Sequence, residues 1–124
     1  MWARLISGII GVLMLLQALN WLFDPSSAAA GLSMSLLEGE GGNTQIGDFT
    51  SFFFTAGILS CIGPYKNEYE WLYGPLALLG SAALFRLSAG VMHGTEFWLP
   101  GIMSEILFSI MLIVSINLMK KSTA

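Results

Sequence analysis

The sequence is poor in charged residues, cysteine and histidine, and each shortage excludes a class of protein. Only 10% of its 124 residues are charged, whereas soluble globular domains carry about 25%. The five Lys and Arg residues are outnumbered by eight Asp and Glu residues, which excludes the basic surface of a nucleic-acid-binding protein. The single cysteine, Cys61, cannot form an internal disulfide. The single histidine, His93, cannot ligate a haem from both sides or build a His-rich metal site unaided, so we expect no cofactor and no metal.

Apolar residues make up 55% of the chain, and the mean hydropathy is +0.72. A chain of this composition cannot hide its apolar surface in water, so we predict an integral membrane protein. The apolar runs are continuous rather than alternating, and about 20 helical residues cross the roughly 30 Å hydrocarbon core, so the spans are expected to be helices. We predict an all-α, antiparallel four-helix bundle in a single domain, 1–124, with spans at about 5–23, 47–64, 71–92 and 98–119.

The second apolar run is shorter than the others, since it is continuous only over 49–63. It must tilt little, borrow a turn from Thr44 to Asp48, or sit where its neighbours thin the bilayer. The first run has a second interpretation, a cleaved signal peptide, with Arg4 as its basic start and Ala28 to Ala30 as the cleavage site. We favour a retained span, because the run is long and Trp21, Asp24 and Pro25 interrupt the approach to that site.

The aromatic and basic residues predict where the spans end and which way they face. Trp and Tyr prefer the headgroup level of a bilayer, and all of them fall at run ends, at Trp2, Trp21, Tyr65, Tyr69, Trp71, Tyr73 and Trp98. Four crossings place Arg4, Lys66, Lys120 and Lys121 on one side, whereas the connections on the other side contain neither Lys nor Arg. By the positive-inside rule, we expect both termini to be cytoplasmic.

The first outer connection is expected to cap the bundle. Asp24 and Pro25 read as an N-cap followed by proline at the first helical position, and 26–30 tolerates a helix. The apolar residues of 32–37 are expected to rest at the membrane surface or to cap the bundle. The glycine-rich segment Glu38 to Gly42 then reads as a flexible acidic hinge.

Two charged residues lie inside the predicted membrane spans. Arg86 precedes the outer end of the third span, and Glu105 follows the outer end of the fourth, so both are expected about 9–10 Å below the outer boundary. Each alone would cost at least ~2.5 kcal/mol in hydrocarbon. Because they share a depth on adjacent antiparallel helices, we expect them to form an ion pair.

Polar residues on every span are predicted to face this pair and form a polar layer. They recur at helical spacing on the first and second spans and continue beyond Arg86 on the third; those that we expect in the layer are Gln17, Asn20, Asp48, Thr55 and His93. The layer has two interpretations, which stay open. It is either a structural lock that fixes helix register, or a site that opens outward to a small ligand, a headgroup or a proton.

Short motifs add little. Gly90 to Gly94 matches G-x-x-x-G, for which we favour tight packing or a C-cap over dimerisation, because it lies at a span end. Within the sequence there is no nucleophile elbow, phosphate-binding loop, dinucleotide fingerprint or zinc-protease motif. The residues therefore favour a non-enzymatic protein over a membrane enzyme.

Several short segments along nearly the whole chain form one layout, namely Trp21, Pro25, Gly31-Leu32, Ala82 to Arg86, His93-Gly94 and Ser104-Glu105. This layout resembles a bacterial family of small four-span membrane proteins catalogued as a domain of unknown function, which implies the inner membrane of a bacterium. Members often have a basic residue close after the acidic start of the second span, where this chain has Asp48-Phe49-Thr50. A more distant likeness to DoxX-like proteins implies an accessory redox role by analogy only.

Two functions follow as hypotheses. The first is a structural or accessory membrane protein, whose partners are other membrane subunits or copies of itself. The second is a binder or carrier of a small amphiphile or membrane lipid at the outer-leaflet layer. There Arg86 would face an anionic or carbonyl group, and Glu105 would hold Arg86 in place.

Overall fold

The computed structural model describes residues 1–123, and in that range the chain is entirely helical apart from short connections. Four long helices, each apolar enough to cross a membrane, form the predicted bundle. They are α1 (Trp2–Phe23), α3 (Gly39–Lys66), α4 (Tyr73–His93) and α5 (Leu99–Thr123); a short α2 (Pro25–Gly31) follows α1, and a 3-10 turn (Tyr69–Leu72) precedes α4. The predicted all-α fold class is confirmed, and the chain is a multi-pass membrane protein.

The four long helices pack as a ring, in which α1 contacts α3 and α5 while α4 contacts the other sides of the same two helices. We call the end of the bundle that holds Arg4, Lys66, Lys120 and Lys121 the basic end, and the end that holds α2 and the α4–α5 turn the acidic end. α3 and α4 approach each other closely near the basic end, where a Cβ on Gly74 would lie 2.7 Å from Leu59 Cδ1.

The most extensive packing in the bundle is between α1 and α3, and it depends on two glycines. A Cβ built on Gly57 would lie 2.9 Å from the backbone nitrogen of Leu15 and 3.0 Å from the carbonyl oxygen of Gly11. Built on Gly11, it would lie 2.5 Å from Cys61 Sγ. Since only glycine allows this approach, Gly11 and Gly57 let the two backbones touch, as small residues commonly do between membrane helices.

Side chains tie the basic end together. Arg4 Nε donates a 2.7 Å hydrogen bond to the Pro64 carbonyl oxygen in the last turn of α3, where a cation also complements the helix dipole. Ser115 Oγ of α5 donates to the Ala3 carbonyl oxygen of α1. These bonds fix the first turn of α1 against both of its neighbours.

The connection between α1 and α3 is more ordered than its composition predicts. α2 forms where Asp24 and Pro25 predict it, with Asp24 at the N-cap position but without a side-chain capping bond. The predicted hinge over Glu38 to Gly42 is wrong, because α3 begins at Gly39 rather than near residue 47. The buried Gln45 explains the order, since its amide accepts from Leu37 N (2.8 Å) and donates to the Ser35 carbonyl oxygen (3.2 Å).

The early start of α3 removes the length problem of the second span. Its 28 residues extend over about 42 Å, which exceeds the roughly 30 Å hydrocarbon core. Of the three alternatives for this span, the helix agrees with the one that adds Thr44 to Asp48, because α3 includes these residues.

Trp21 lies near the end of α1, and the protein encloses its ring. It is 0% exposed, and its ring stacks on Phe49 of α3 with centroids 4.7 Å apart and planes within 9°. Trp21 shares its cluster with Ala28 and Ala29 of α2. The cap formed by α2 therefore covers this ring.

The glycine contact predicts a matched pair of variants on α3. Gly57→Ala should lower the thermal unfolding midpoint in detergent, by about 1–3 kcal/mol of unfolding free energy, because the new methyl group overlaps Leu15. Gly47→Ala should leave stability unchanged or slightly raised, since nothing lies within 4 Å of its added Cβ and alanine is the better helix former. Equal midpoints for the two variants would contradict the proposed role of Gly57.

Candidate functional site

Arg86 and Glu105 form the ion pair that the sequence predicts. Arg86 Nε lies 2.8 Å from Glu105 Oε1, and the two side chains are 34% and 10% exposed, respectively. Arg86 lies about 10 Å from the end of α4 at His93, and Glu105 lies about 9 Å from the start of α5 at Leu99. It is the only ion pair among residues 1–123.

Two residues at the start of α5 complete the setting of Arg86. The guanidinium carbon lies 5.3 Å from the ring centroid of Trp98, a cation–π contact. A Cβ on Gly101 would lie 3.1 Å from the same carbon, so a glycine there leaves room for the guanidinium. Trp98, Gly101 and Glu105 follow the i, i+3, i+7 spacing of one helix face. From the sequence Trp98 is expected only at the membrane interface; its contact with Arg86 was not predicted, although the spacing could have shown it.

The ion pair uses only one of the nitrogens of the guanidinium. The hydrogen bond to Glu105 comes from Nε, and Nη1 and Nη2 have no hydrogen-bond partner in the described part of the chain. Neither atom is one of the buried side-chain atoms of that part that lack a hydrogen bond, so both are accessible. Glu105 therefore fixes the side chain, while the terminal N–H groups stay available as donors.

A cavity of about 410 Å³ adjoins the ion pair. α3, α4 and α5 form its walls, together with Met14 of α1 and Leu32 beyond α2. Its lining is mainly apolar and rich in aromatic rings, which are those of Phe49, Phe52, Phe53, Trp98 and Phe108. Its polar side chains are those of Asp48, Arg86, Ser104 and Glu105. An apolar chamber with a few convergent polar groups is the common form of a small-molecule site.

Four of the predicted layer residues do not line the cavity. Gln17, Thr55 and His93 are exposed and Asn20 is half-buried, so the prediction that every helix turns a polar stripe inward is wrong for these positions. On α1 the buried face carries Met14, Ala18 and Trp21, which puts Gln17 and Asn20 on other faces of the same helix.

Thr55 and His93 have separate explanations. Ala56 and Gly57, which follow Thr55 on α3, are buried, so Thr55 lies on the far side of that helix from its packed face. His93 is the last residue of α4, next to the left-handed Gly94. Of the predicted layer, the structure brings together Arg86, Glu105 and Asp48.

Gly90 and Gly94 serve the turn between α4 and α5. Gly94 has a φ of +68°, and its N–H donates to the Gly90 carbonyl oxygen at 3.1 Å. A Cβ on Gly90 would overlap the ring of Phe97. The interpretation of this G-x-x-x-G as a C-cap with tight internal packing is confirmed.

Comparison with models of known protein families, with curated proteins and with solved structures finds no match for this chain. The resemblance to the four-span bacterial family, and the more distant one to DoxX-like proteins, stay predictions from the sequence. The function is therefore argued from the site alone.

Removing one partner of the ion pair should destabilise the protein more than removing both. Arg86→Met leaves a carboxylate that is 10% exposed without its partner, and an unsatisfied polar group costs about 1–3 kcal/mol, more when charged. The double variant Arg86→Met/Glu105→Gln leaves no charge. We expect its unfolding midpoint in detergent to lie above those of Arg86→Met and Glu105→Gln. A double variant less stable than both single variants would show that the charges do not compensate each other.

Proposed function

We propose that this protein binds a small amphiphile from the surrounding membrane in the cavity between α3, α4 and α5. The observation that carries the proposal is the free Nη groups of Arg86 beside an apolar chamber. The volume of about 410 Å³ falls within the range of about 300–1,000 Å³ typical of small-molecule sites. In the proposed complex, the guanidinium donates to a polar headgroup, and the aromatic walls contact the apolar part.

The geometry of the ion pair favours binding over a purely structural lock. A guanidinium that serves only to neutralise a carboxylate can use two parallel hydrogen bonds. Here a single bond from Nε positions the group, and the rest of the fork stays free. The hypothesis of a structural or accessory subunit stays a prediction, as do other membrane subunits or copies of the chain as partners. That hypothesis gives no reason for the cavity.

The apolar surface of the bundle indicates where the ligand comes from. Large apolar side chains are exposed along the outer faces of all four long helices, among them Leu16, Phe54, Leu84 and Ile110. On a water-soluble protein such a surface would aggregate, whereas in a bilayer it contacts acyl chains. The ligand would therefore come from the lipid phase that surrounds the protein.

We place the chain in a bacterial inner membrane with the basic end in the cytoplasm. The positive-inside rule supports this orientation, because Arg4, Lys66, Lys120 and Lys121 share one end of the bundle. The resemblance to the bacterial four-span family supports the compartment. In this orientation the cavity lies in the outer leaflet.

Filling the cavity without touching its charges tests the proposed function. Ala82 lines the cavity one turn below Arg86, so Ala82→Phe should abolish co-purification of a bound amphiphile, measured by native mass spectrometry of the detergent-solubilised protein. The matched control is Ala77→Phe, at an exposed position of the same helix, which should retain the ligand. Equal amphiphile content in wild type, Ala82→Phe and Ala77→Phe, at unchanged unfolding midpoints, would refute binding in this cavity.

Cysteine labelling tests the orientation. In a Cys61→Ala background, Thr95→Cys lies in the exposed α4–α5 turn and Ser122→Cys lies in the last turn of α5. A membrane-impermeant maleimide applied to spheroplasts should label Thr95→Cys at once and Ser122→Cys only after permeabilisation. The reverse pattern would place the basic end outside.

A further inference from the structure

We infer that the bound amphiphile has a zwitterionic headgroup with a primary ammonium group and a phosphate, as in an ethanolamine phospholipid. This inference rests on the proposed function and names the class of its ligand. The ammonium group would face Asp48, and the phosphate would face Arg86. Three observations support it: the charge of the cavity, the common depth of Asp48 and Arg86, and the partners already held by the two aromatic rings nearest these residues.

The charges of the cavity do not balance. Its charged lining residues are Asp48, Arg86 and Glu105, which give one positive and two negative charges. Glu105 pairs with Arg86, whereas the Asp48 carboxylate has no hydrogen-bond or ion-pair partner in the described part of the chain. A purely anionic headgroup would add to the negative charge and face Asp48 unfavourably. A headgroup that also brings a cation gives Asp48 an opposite charge.

Asp48 and Arg86 lie at about the same depth. A Cβ on Gly74 of α4 would lie 2.7 Å from Leu59 Cδ1 of α3, so these two residues give a common reference level. From that level Asp48 lies about 17 Å along α3 and Arg86 about 18 Å along α4, both towards the acidic end. Asp48 is exposed, whereas Glu105 is buried. The carboxylate and the guanidinium therefore lie at one level on two walls of the cavity.

Below the ion pair the lining turns apolar. Ala82 and Leu79 lie one and two turns deeper than Arg86 on α4, and Phe108 lies about one turn deeper than Glu105 on α5. Along the bundle the cavity thus has one charged level, with a carboxylate and a guanidinium, and then an apolar wall. An ethanolamine phospholipid presents the matching groups, with an ammonium and a phosphate in one headgroup and an acyl chain attached to it.

The aromatic rings favour a primary ammonium group over a quaternary one. A quaternary ammonium donates no hydrogen bond and is commonly bound over open aromatic faces. The two rings nearest the charged residues already have a partner, since Trp98 faces the guanidinium of Arg86 and Phe49 stacks on Trp21. The other three lining rings lie about one turn deeper; they are those of Phe52, Phe53 and Phe108. At the charged level the open acceptor is the Asp48 carboxylate, which takes hydrogen bonds and offers none. A primary ammonium supplies three donors, whereas choline supplies none.

Three single-chain lipids that share one acyl chain and differ in headgroup test the inference. They are lysophosphatidylethanolamine, lysophosphatidylcholine and lysophosphatidylglycerol, titrated into the delipidated wild-type protein in a non-ionic detergent and measured by native mass spectrometry. We expect the ethanolamine lipid to bind about tenfold more tightly than the choline lipid, because only its ammonium group can donate a charge-assisted hydrogen bond to Asp48. The glycerol lipid, which is anionic, should bind most weakly.

Asp48→Asn separates headgroup selection from binding itself. The variant should bind the ethanolamine and choline lipids with affinities within about threefold of each other, and its affinity for the glycerol lipid should rise, because the repelling carboxylate is gone. Asp24→Asn is the matched control, since Asp24 is exposed near the same end but does not line the cavity. It should keep the wild-type order of affinities.

The outcomes distinguish the failure of this inference from that of the proposed function. If wild type binds none of the three lipids better than Ala82→Phe does, the cavity is no lipid site and both proposals fail. If wild type binds all three equally, or prefers the glycerol lipid, the site binds amphiphiles but the zwitterionic assignment is wrong. An Asp48→Asn variant that keeps the tenfold preference would also overturn the assignment.

Discussion

Hydrocarbon chains are as apolar as leucine, so the hydrophobic effect contributes little to the association of helices in a bilayer. The bundle therefore depends on other interactions between its helices. On one side, Gly11 and Gly57 let the backbones of α1 and α3 touch, which yields dispersion contacts along their length. On the other side, α4 and α5 share the ion pair between Arg86 and Glu105. Close backbone packing thus joins α1 to α3, whereas an ion pair joins α4 to α5.

The cavity lies where these two pairs meet. α3 and α4 are in close contact at Gly74 and Leu59, near the basic end, whereas near Arg86 both helices line the cavity together with α5. Because Glu105 uses only Nε of the guanidinium, the interaction that stabilises the bundle leaves donors free for a ligand. The same side chain therefore serves stability and recognition, and the two roles rest on different nitrogen atoms.

The parts of the structure that depend on counting along the chain could be predicted from the sequence. Hydropathy gave the four spans, and equal distances from two helix ends placed Arg86 level with Glu105. Helical spacing also grouped Gln17 with Asn20, but spacing does not state which face turns inward. That choice was made by Trp21 and Met14, whose burial turns Gln17 towards the surface. The glycines of 38–42 predicted a hinge, whereas the side-chain amide of Gln45, three residues further on, binds Leu37 N and so fixes the segment between them. The cavity itself has no signature in the sequence, because it depends on how α3, α4 and α5 pack together.

The hydrogen bond from Ser115 to the Ala3 carbonyl oxygen joins the last long helix to the first. Residues so far apart in the chain meet only after ribosomal synthesis has delivered all four crossings to the bilayer. Until then α1 can pack against α3, but the side that contacts α5 in the complete bundle faces lipid. α5 is the last of the four long helices to be made, so a nascent chain that holds only the first three lacks the Ser115 hydroxyl that donates to Ala3.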